Sequence, residues 1–131
     1  MNNSIHNETK VLLIDDDPVS NFIVTRKLEK LGLVNIYAVE NGAQAIEYLK
    51  NNEPDLIFLD INMPIMDGHE FMIEYKERNL PSDINIFVLS SSDRSCDRKK
   101  FMDFTNVLGY IEKPLEIESI EKALNTLKMH I

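Results

Sequence analysis

The chain has no tryptophan and one cysteine, Cys96, in 131 residues. A single cysteine cannot close an intrachain disulfide, and no Cys/His pair falls at zinc-finger spacing. A packed core must therefore hold the fold. The length, just under that of one typical domain, allows one, with a radius of gyration of about 14 Å and roughly two-thirds of the unfolded surface buried. The lack of disulfides fits a reducing compartment, and a cytoplasmic location is expected. No apolar run approaches the roughly 18 residues of a membrane span, so membrane insertion is not expected. Residues Met1 to Lys10 are polar and lack the apolar segment of a signal peptide. Glycine and proline are sparse, at 4 and 5 residues, and form no linker; no repeat or low-complexity tract is present. Positive charge is also scarce: 14 Lys and Arg stand against 22 Asp and Glu, a net charge of −8. Such a chain does not attract a phosphate backbone, which argues against direct nucleic-acid binding. The one basic cluster, Arg94, Arg98, Lys99 and Lys100, reads as a solvated helix face.

What the chain does have is alternation. Short apolar runs occur at Val11 to Ile14, Val34 to Val39, Leu56 to Leu59, Ile84 to Leu89 and Val107 to Ile111. Most are apolar at consecutive positions, as in parallel strands covered on both faces. Amphipathic stretches separate them. Asp17 before Pro18 reads as an N-cap and first helical residue, Val24, Leu28 and Leu31 follow at helical spacing, and Gly32 supplies the stop. Ala45, Ile46 and Leu49 mark a second helix, and Phe71, Met72 and Tyr75 a third. Asp93 to Phe104 is read as a fourth, and Ile117, Ile120, Leu124 and Leu127 stripe the last. Five strand–helix units argue for an α/β fold with a parallel sheet, right-handed crossovers and helices on both faces.

In such a sheet, ligands bind beyond the carboxyl ends of the strands. The residues there are acids, hydroxyls and a lysine: Asp15, Asp16 and Asp17 after the first strand, Asp60 ending the third, Ser90, Ser91 and Ser92 at the fourth, and Lys113-Pro114 after the fifth. Crowded carboxylates repel, and a hard divalent cation relieves that cost; Mg²⁺ takes one or two carboxylates, waters and a phosphate oxygen. Asp16 and Asp60 are candidates for direct ligands, with Asp15 acting through water. An aspartate is also a possible nucleophile towards phosphorus, and Asp60, at the end of the central strand, is the natural one. A lysine and a hydroxyl would bind the remaining phosphoryl oxygens.

Four motifs carry a family resemblance: Leu13-Ile14-Asp15-Asp16-Asp17; Leu59-Asp60-Ile61-Asn62-Met63-Pro64 with Met66-Asp67-Gly68; Leu89-Ser90; and Gly109-Tyr110-Ile111-Glu112-Lys113-Pro114. In this order and spacing, over residues 10 to 130, the chain resembles a two-component response-regulator receiver domain, of the stand-alone type found among chemotaxis regulators. The resemblance implies a flavodoxin-like, doubly wound (βα)5 fold with strand order 2-1-3-4-5, a flexible tail over residues 1–9 and a receiver domain over 10–131. It implies Asp60 as phosphoacceptor and Mg²⁺ held by Asp15, Asp16, Asp60 and the backbone carbonyl of Asn62. Lys113, Ser90 and Ser91 would lie at the phosphoryl group. Ser90 and Tyr110 would form the switch, and Pro114 would follow a cis peptide, which proline makes accessible. The implied donor is a sensor histidine kinase or a histidine phosphotransfer protein. The implied output is a partner protein on the face of the fourth expected helix, the fifth strand and the last helix. The activity is that of a phosphoacceptor, not an enzyme with a turnover substrate, with at most slow self-catalysed phosphorylation and dephosphorylation.

Two features depart from the pattern. Ser91 stands where the family usually has alanine or glycine, and Thr105-Asn106-Val107-Leu108 replaces a segment that usually contains small residues. Other candidates have plainer readings. Asp17 reads as a cap rather than a ligand, Asp67-Gly68 as a turn and helix start, His69 as a surface residue on a first helical turn, Cys96 as inert, and the methionines as core filler. A Mg²⁺-dependent phosphatase would also use an aspartyl phosphate. It would need an Asp-x-Asp-x-Thr first strand and a cap insertion, and neither is here. A flavin binder would need a Ser/Thr/Gly-rich phosphate loop where Asp-Asp-Asp-Pro stands.

Overall fold

Leu56, Ile57, Phe58 and Leu59 are consecutive, apolar and all buried, so their strand is covered on both faces. The computed structural model describes residues 8–61, 63, 65–81, 83–90, 99, 101 and 103–129. Its elements are β1 (Lys10–Ile14), α1 (Pro18–Lys30), β2 (Asn35–Val39), α2 (Gly42–Leu49), β3 (Leu56–Asp60), α3 (Gly68–Glu77), β4 (Asn85–Ser90), β5 (Val107–Glu112) and α4 (Ile117–Met129). All strand pairs are parallel, in the order β2-β1-β3-β4-β5. This is the flavodoxin-like order that the motifs imply. The expected tail, apart from Glu8 and Thr9, lies outside the described residues. So does most of the helix expected over 93–104, together with Cys96 and all of the basic cluster except Lys99.

Strand alternation divides the core into two layers. Leu12, Ile14, Ile57, Leu59, Ile86 and Val88 face α2 and α3, where they meet Ile46, Leu49, Phe71 and Met72. Val11, Leu13, Leu56, Phe58, Phe87 and Leu89 face the other way, onto Val24 and Leu28 of α1 and Ile120 and Leu124 of α4. Each fully buried leucine or phenylalanine contributes about 1.5–3 kcal/mol relative to exposure. The sheet is thus anchored at its centre, and its carboxyl ends are left for polar residues.

Helix ends follow side-chain chemistry. Pro18 opens α1, and Asp17 Oδ1 accepts the Val19 N–H at 3.0 Å. Asn41, not singled out in the sequence, caps α2 by accepting the Gln44 N–H at 2.8 Å. Asp67 and Glu70 form a reciprocal capping box on α3. Gly32, at φ 94°, takes the left-handed turn after α1 that glycine adopts without strain.

The second strand departs from expectation. Its run, Val34 to Val39, is apolar except for Asn35, yet Tyr37 is 52% exposed, as is Val34, just before the strand, at 64%. The strand order puts β2 at the sheet edge with one neighbour, and Tyr37 covers itself by stacking on Tyr48 of α2, ring centroids 4.4 Å apart.

Candidate functional site

Because β1, β3, β4 and β5 are successive neighbours running the same way, their carboxyl ends form one rim. Asp15 and Asp16 leave β1 there, Asp60 and Ser90 end β3 and β4, and Lys113 follows β5. Asp15, Asp16 and Asp60 each offer a carboxylate oxygen within 4.8 Å of the others. Asp15 is 5% exposed, Asp60 4% and Ser90 0%, whereas Asp16 is open to solvent. The Lys113 ammonium lies 3.2 Å from Asp15 Oδ2 and 3.6 Å from Asp60 Oδ2. Burial lowers the pKa of Lys113, but the Asp60 and Asp15 carboxylates more than reverse this, so it lies above the ordinary lysine value. Among the described residues, Lys113 pairs with two of the three carboxylates in the cluster. That imbalance, with hard oxygen donors gathered at one point, fits a divalent cation such as Mg²⁺.

The backbone holds these groups in place. The Ile61 N–H donates to Leu89 O at 3.1 Å, which carries the β3–β4 pairing one residue past Asp60. The Lys113 N–H donates to Ser90 O at 2.8 Å and joins the last two strand ends. Gly68, at the start of α3, donates its N–H to Ile61 O at 2.8 Å. A Cβ there would lie 2.8 Å from the Asp60 carbonyl oxygen and 2.9 Å from Ile61 Cα, so only glycine lets α3 pack against the Asp60 backbone. The Lys113–Pro114 peptide is cis.

The structure thus brings together Asp15, Asp16, Asp60, Ser90 and Lys113. Asn62 and Ser91 lie outside the described residues. Tyr110 pairs in register with Val88, is half-buried, and packs against the α2/α3 core layer. Asp17 serves as the cap of α1. His69 differs from its reading as a plain surface residue: it is half-buried, edge-on to Phe101 and Phe104 with centroids 5.8 and 6.2 Å away. Sequence reasoning missed Ser20 and Asn21. Ser20 Oγ donates to Asp15 Oδ2 at 2.9 Å, and Asn21 Nδ2 to Asp15 O at 3.0 Å. The only signal was their place in the first turn after the acids, where a helix turning back on its own start can reach them. Beside Lys113 and Pro114, an open groove of about 410 Å³ runs along Val19, Ile23 and Leu115.

A parallel sheet with this acidic rim and facing lysine defines a class, and comparison with known proteins assigns it. Residues 11–125 match the response regulator receiver domain family, and the chain belongs to that family. It is therefore a module of two-component, phosphorelay signalling. The probable C4-dicarboxylate response regulator DctR of Bacillus subtilis (strain 168) is 32% identical over 128 residues, covering 94% of this chain and 54% of that protein. The chain thus spans about half the length of that relative. A two-component response regulator from Cytophaga hutchinsonii superposes with a TM-score of 0.83 at 31% identity, over 91% of this chain and 96% of that one. The receiver domain of sensor histidine kinase PA1611 from Pseudomonas aeruginosa PAO1 shares the fold, with a TM-score of 0.79 at 23% identity over 91% of this chain and 96% of that one. It was solved with a magnesium ion coordinated in its active site cleft. Among the described residues, no helix is long and apolar enough to cross a membrane.

Proposed function

We propose that the chain accepts a phosphoryl group on Asp60 from a sensor histidine kinase or histidine phosphotransfer protein, in a Mg²⁺-dependent reaction, and so changes its partner-binding surface. The observation that carries this reading is the approach of Lys113 to both Asp15 and Asp60 inside a three-carboxylate cluster. An Asp60 carboxylate oxygen attacks phosphorus and forms the O–P bond. The P–N bond to the donor imidazole breaks, its electron pair stays on nitrogen, and that ring keeps one proton between its two nitrogens. Asp15, Asp16, Asp60 and the Asn62 carbonyl would hold Mg²⁺, which when bound offsets the charge on the phosphoryl oxygens. Lys113 exchanges its place between the two acids for a phosphoryl oxygen, and the Ser90 hydroxyl donates to another. Ser91, outside the described residues, is proposed as a further phosphoryl-binding group. The groove along Val19, Ile23 and Leu115 gives the donor an apolar surface next to the acceptor.

Ser90 is fully buried, so its movement towards the phosphoryl group vacates space, and Tyr110 turns inward to fill it. The face proposed to change is that of the fourth expected helix, most of which lies outside the described residues, with β5 and α4, and an output protein would bind there. A phosphatase would turn over; the proposed phosphoacceptor would lose its phosphoryl group at most by slow self-catalysed dephosphorylation.

The test is Asp60→Asn, nearly isosteric at a buried strand end. The wild type incubated with acetyl phosphate should form a stable adduct, and the variant should fold normally and form none. Labelling of the variant at the wild-type rate, or steady phosphate release from simple monoesters, would contradict the assignment.

A further inference from the structure

Asp15 accepts three hydrogen bonds on its carboxylate. The Asp17 N–H reaches Oδ1 at 3.0 Å, while Ser20 Oγ, at 2.9 Å, and Lys113 Nζ, at 3.2 Å, share Oδ2. The last two differ in kind. Lys113 is a cation that Asp60 also attracts, at 3.6 Å. Ser20 is a short, neutral donor on the first turn of α1, and that turn is fixed by the Asp17 cap and by Asn21, whose amide holds the Asp15 carbonyl at 3.0 Å.

We infer that Ser20 is a positioning residue: it holds the Asp15 carboxylate at the orientation the metal needs, independently of Lys113. This rests on the reading of Asp15, Asp16 and Asp60 as a Mg²⁺ site. Without the hydroxyl, Lys113 is the one side-chain donor left on Oδ2 among the described residues. The carboxylate is then free to turn towards the ammonium, and the pair competes with the cation for the same oxygen. With the hydroxyl present, Oδ2 keeps a partner when Lys113 moves to a phosphoryl oxygen, and Asp15 stays where it was. A neutral donor achieves this without adding positive charge beside the cation. Partners that orient metal ligands in this way typically account for 10–100-fold in metal affinity.

The site suits a clean substitution. Ser20 is half-buried and outside both core layers, and alanine is the better helix former. Mg²⁺ is titrated into metal-free wild type, Ser20→Ala and Ser20→Thr, followed by calorimetry and by backbone amide shifts. Each protein is also unfolded in urea without metal. Ser20→Ala should bind Mg²⁺ about tenfold more weakly while its metal-free stability holds, and Ser20→Thr, which restores the hydroxyl, should bind as the wild type does. Wild-type affinity in Ser20→Ala, or a loss confined to metal-free stability, overturns the role of Ser20 and leaves the metal site standing. Absence of Mg²⁺ binding by the wild type overturns both.

Discussion

Buried carboxylates remain ionised only where donors or cations meet them, and at this rim each contact comes from a different part of the chain. Asp15 draws on the residues that follow it and on Lys113, 98 positions later. Gly68 serves by having no side chain. Gly68→Ala places a methyl against the Asp60 carbonyl, so it should destabilise the fold by about 1–3 kcal/mol and shift the Asp60 amide resonance. Unchanged stability in urea would mean that α3 does not pack as described. Tyr75 gives a pH signature. Burial raises its pKa, Asp83 and Glu53 raise it further, and the Asn106 side chain lowers it in part. The folded pKa lies above the unfolded value, so the contribution to stability is complete below about pH 10 and is lost as pH climbs towards the folded pKa. Lys113, also raised, acts in the same direction. Tyr75→Phe removes the bond to the Pro81 carbonyl, costing about 1 kcal/mol at neutral pH, and should flatten the alkaline decline measured by urea unfolding. An equally steep decline in the variant would contradict the assignment.

At the scale of elements, α3 depends on its capping box. Asp67→Ala should cost about 1 kcal/mol, read as a lower urea midpoint with an unchanged slope. No loss would show that Gly68 and core packing suffice to start the helix. Much at this level was legible in the sequence. The strand ends fall within one residue of the apolar runs, in β1, β3 and β4 because consecutive buried residues admit little else, and Asp17-Pro18 marks the start of α1 by local chemistry alone. The exposure of β2 is not legible in its own apolar pattern; it follows from the strand order, which the family motifs imply and which puts β2 at the sheet edge. The 105–108 segment stood out as unusual, and the reason appears only in three dimensions. There the β4–β5 register shifts, with Ile86 opposite Val107 but Phe87 opposite Gly109. Asn106 is buried and donates its amide to Ile84 O at 3.1 Å, securing the start of β4 next to that irregularity. The acids, Ser90 and Lys113 were legible because strand ends gather by topology. Ser20 and Asn21 were not, because their partners depend on the angle at which α1 leaves the sheet.

The whole molecule carries a net charge of −8, and part of that excess is concentrated at the rim. Mg²⁺ binding only the folded state should therefore stabilise it, by about 2.7 kcal/mol at a free concentration of about 100 times its Kd. Asp16→Asn should remove most of that dependence, and it should raise metal-free stability by relieving repulsion. A melting temperature indifferent to millimolar Mg²⁺ would count against the site. The proposed role of Asp60 as the phosphoacceptor has a direct test. The protein is incubated with acetyl phosphate with and without Mg²⁺, its intact mass is measured, and fragmentation locates the modification. A single phosphoryl group on Asp60, formed only with Mg²⁺, is the predicted result. A phosphoryl group on another residue, or equal modification without the metal, would contradict it.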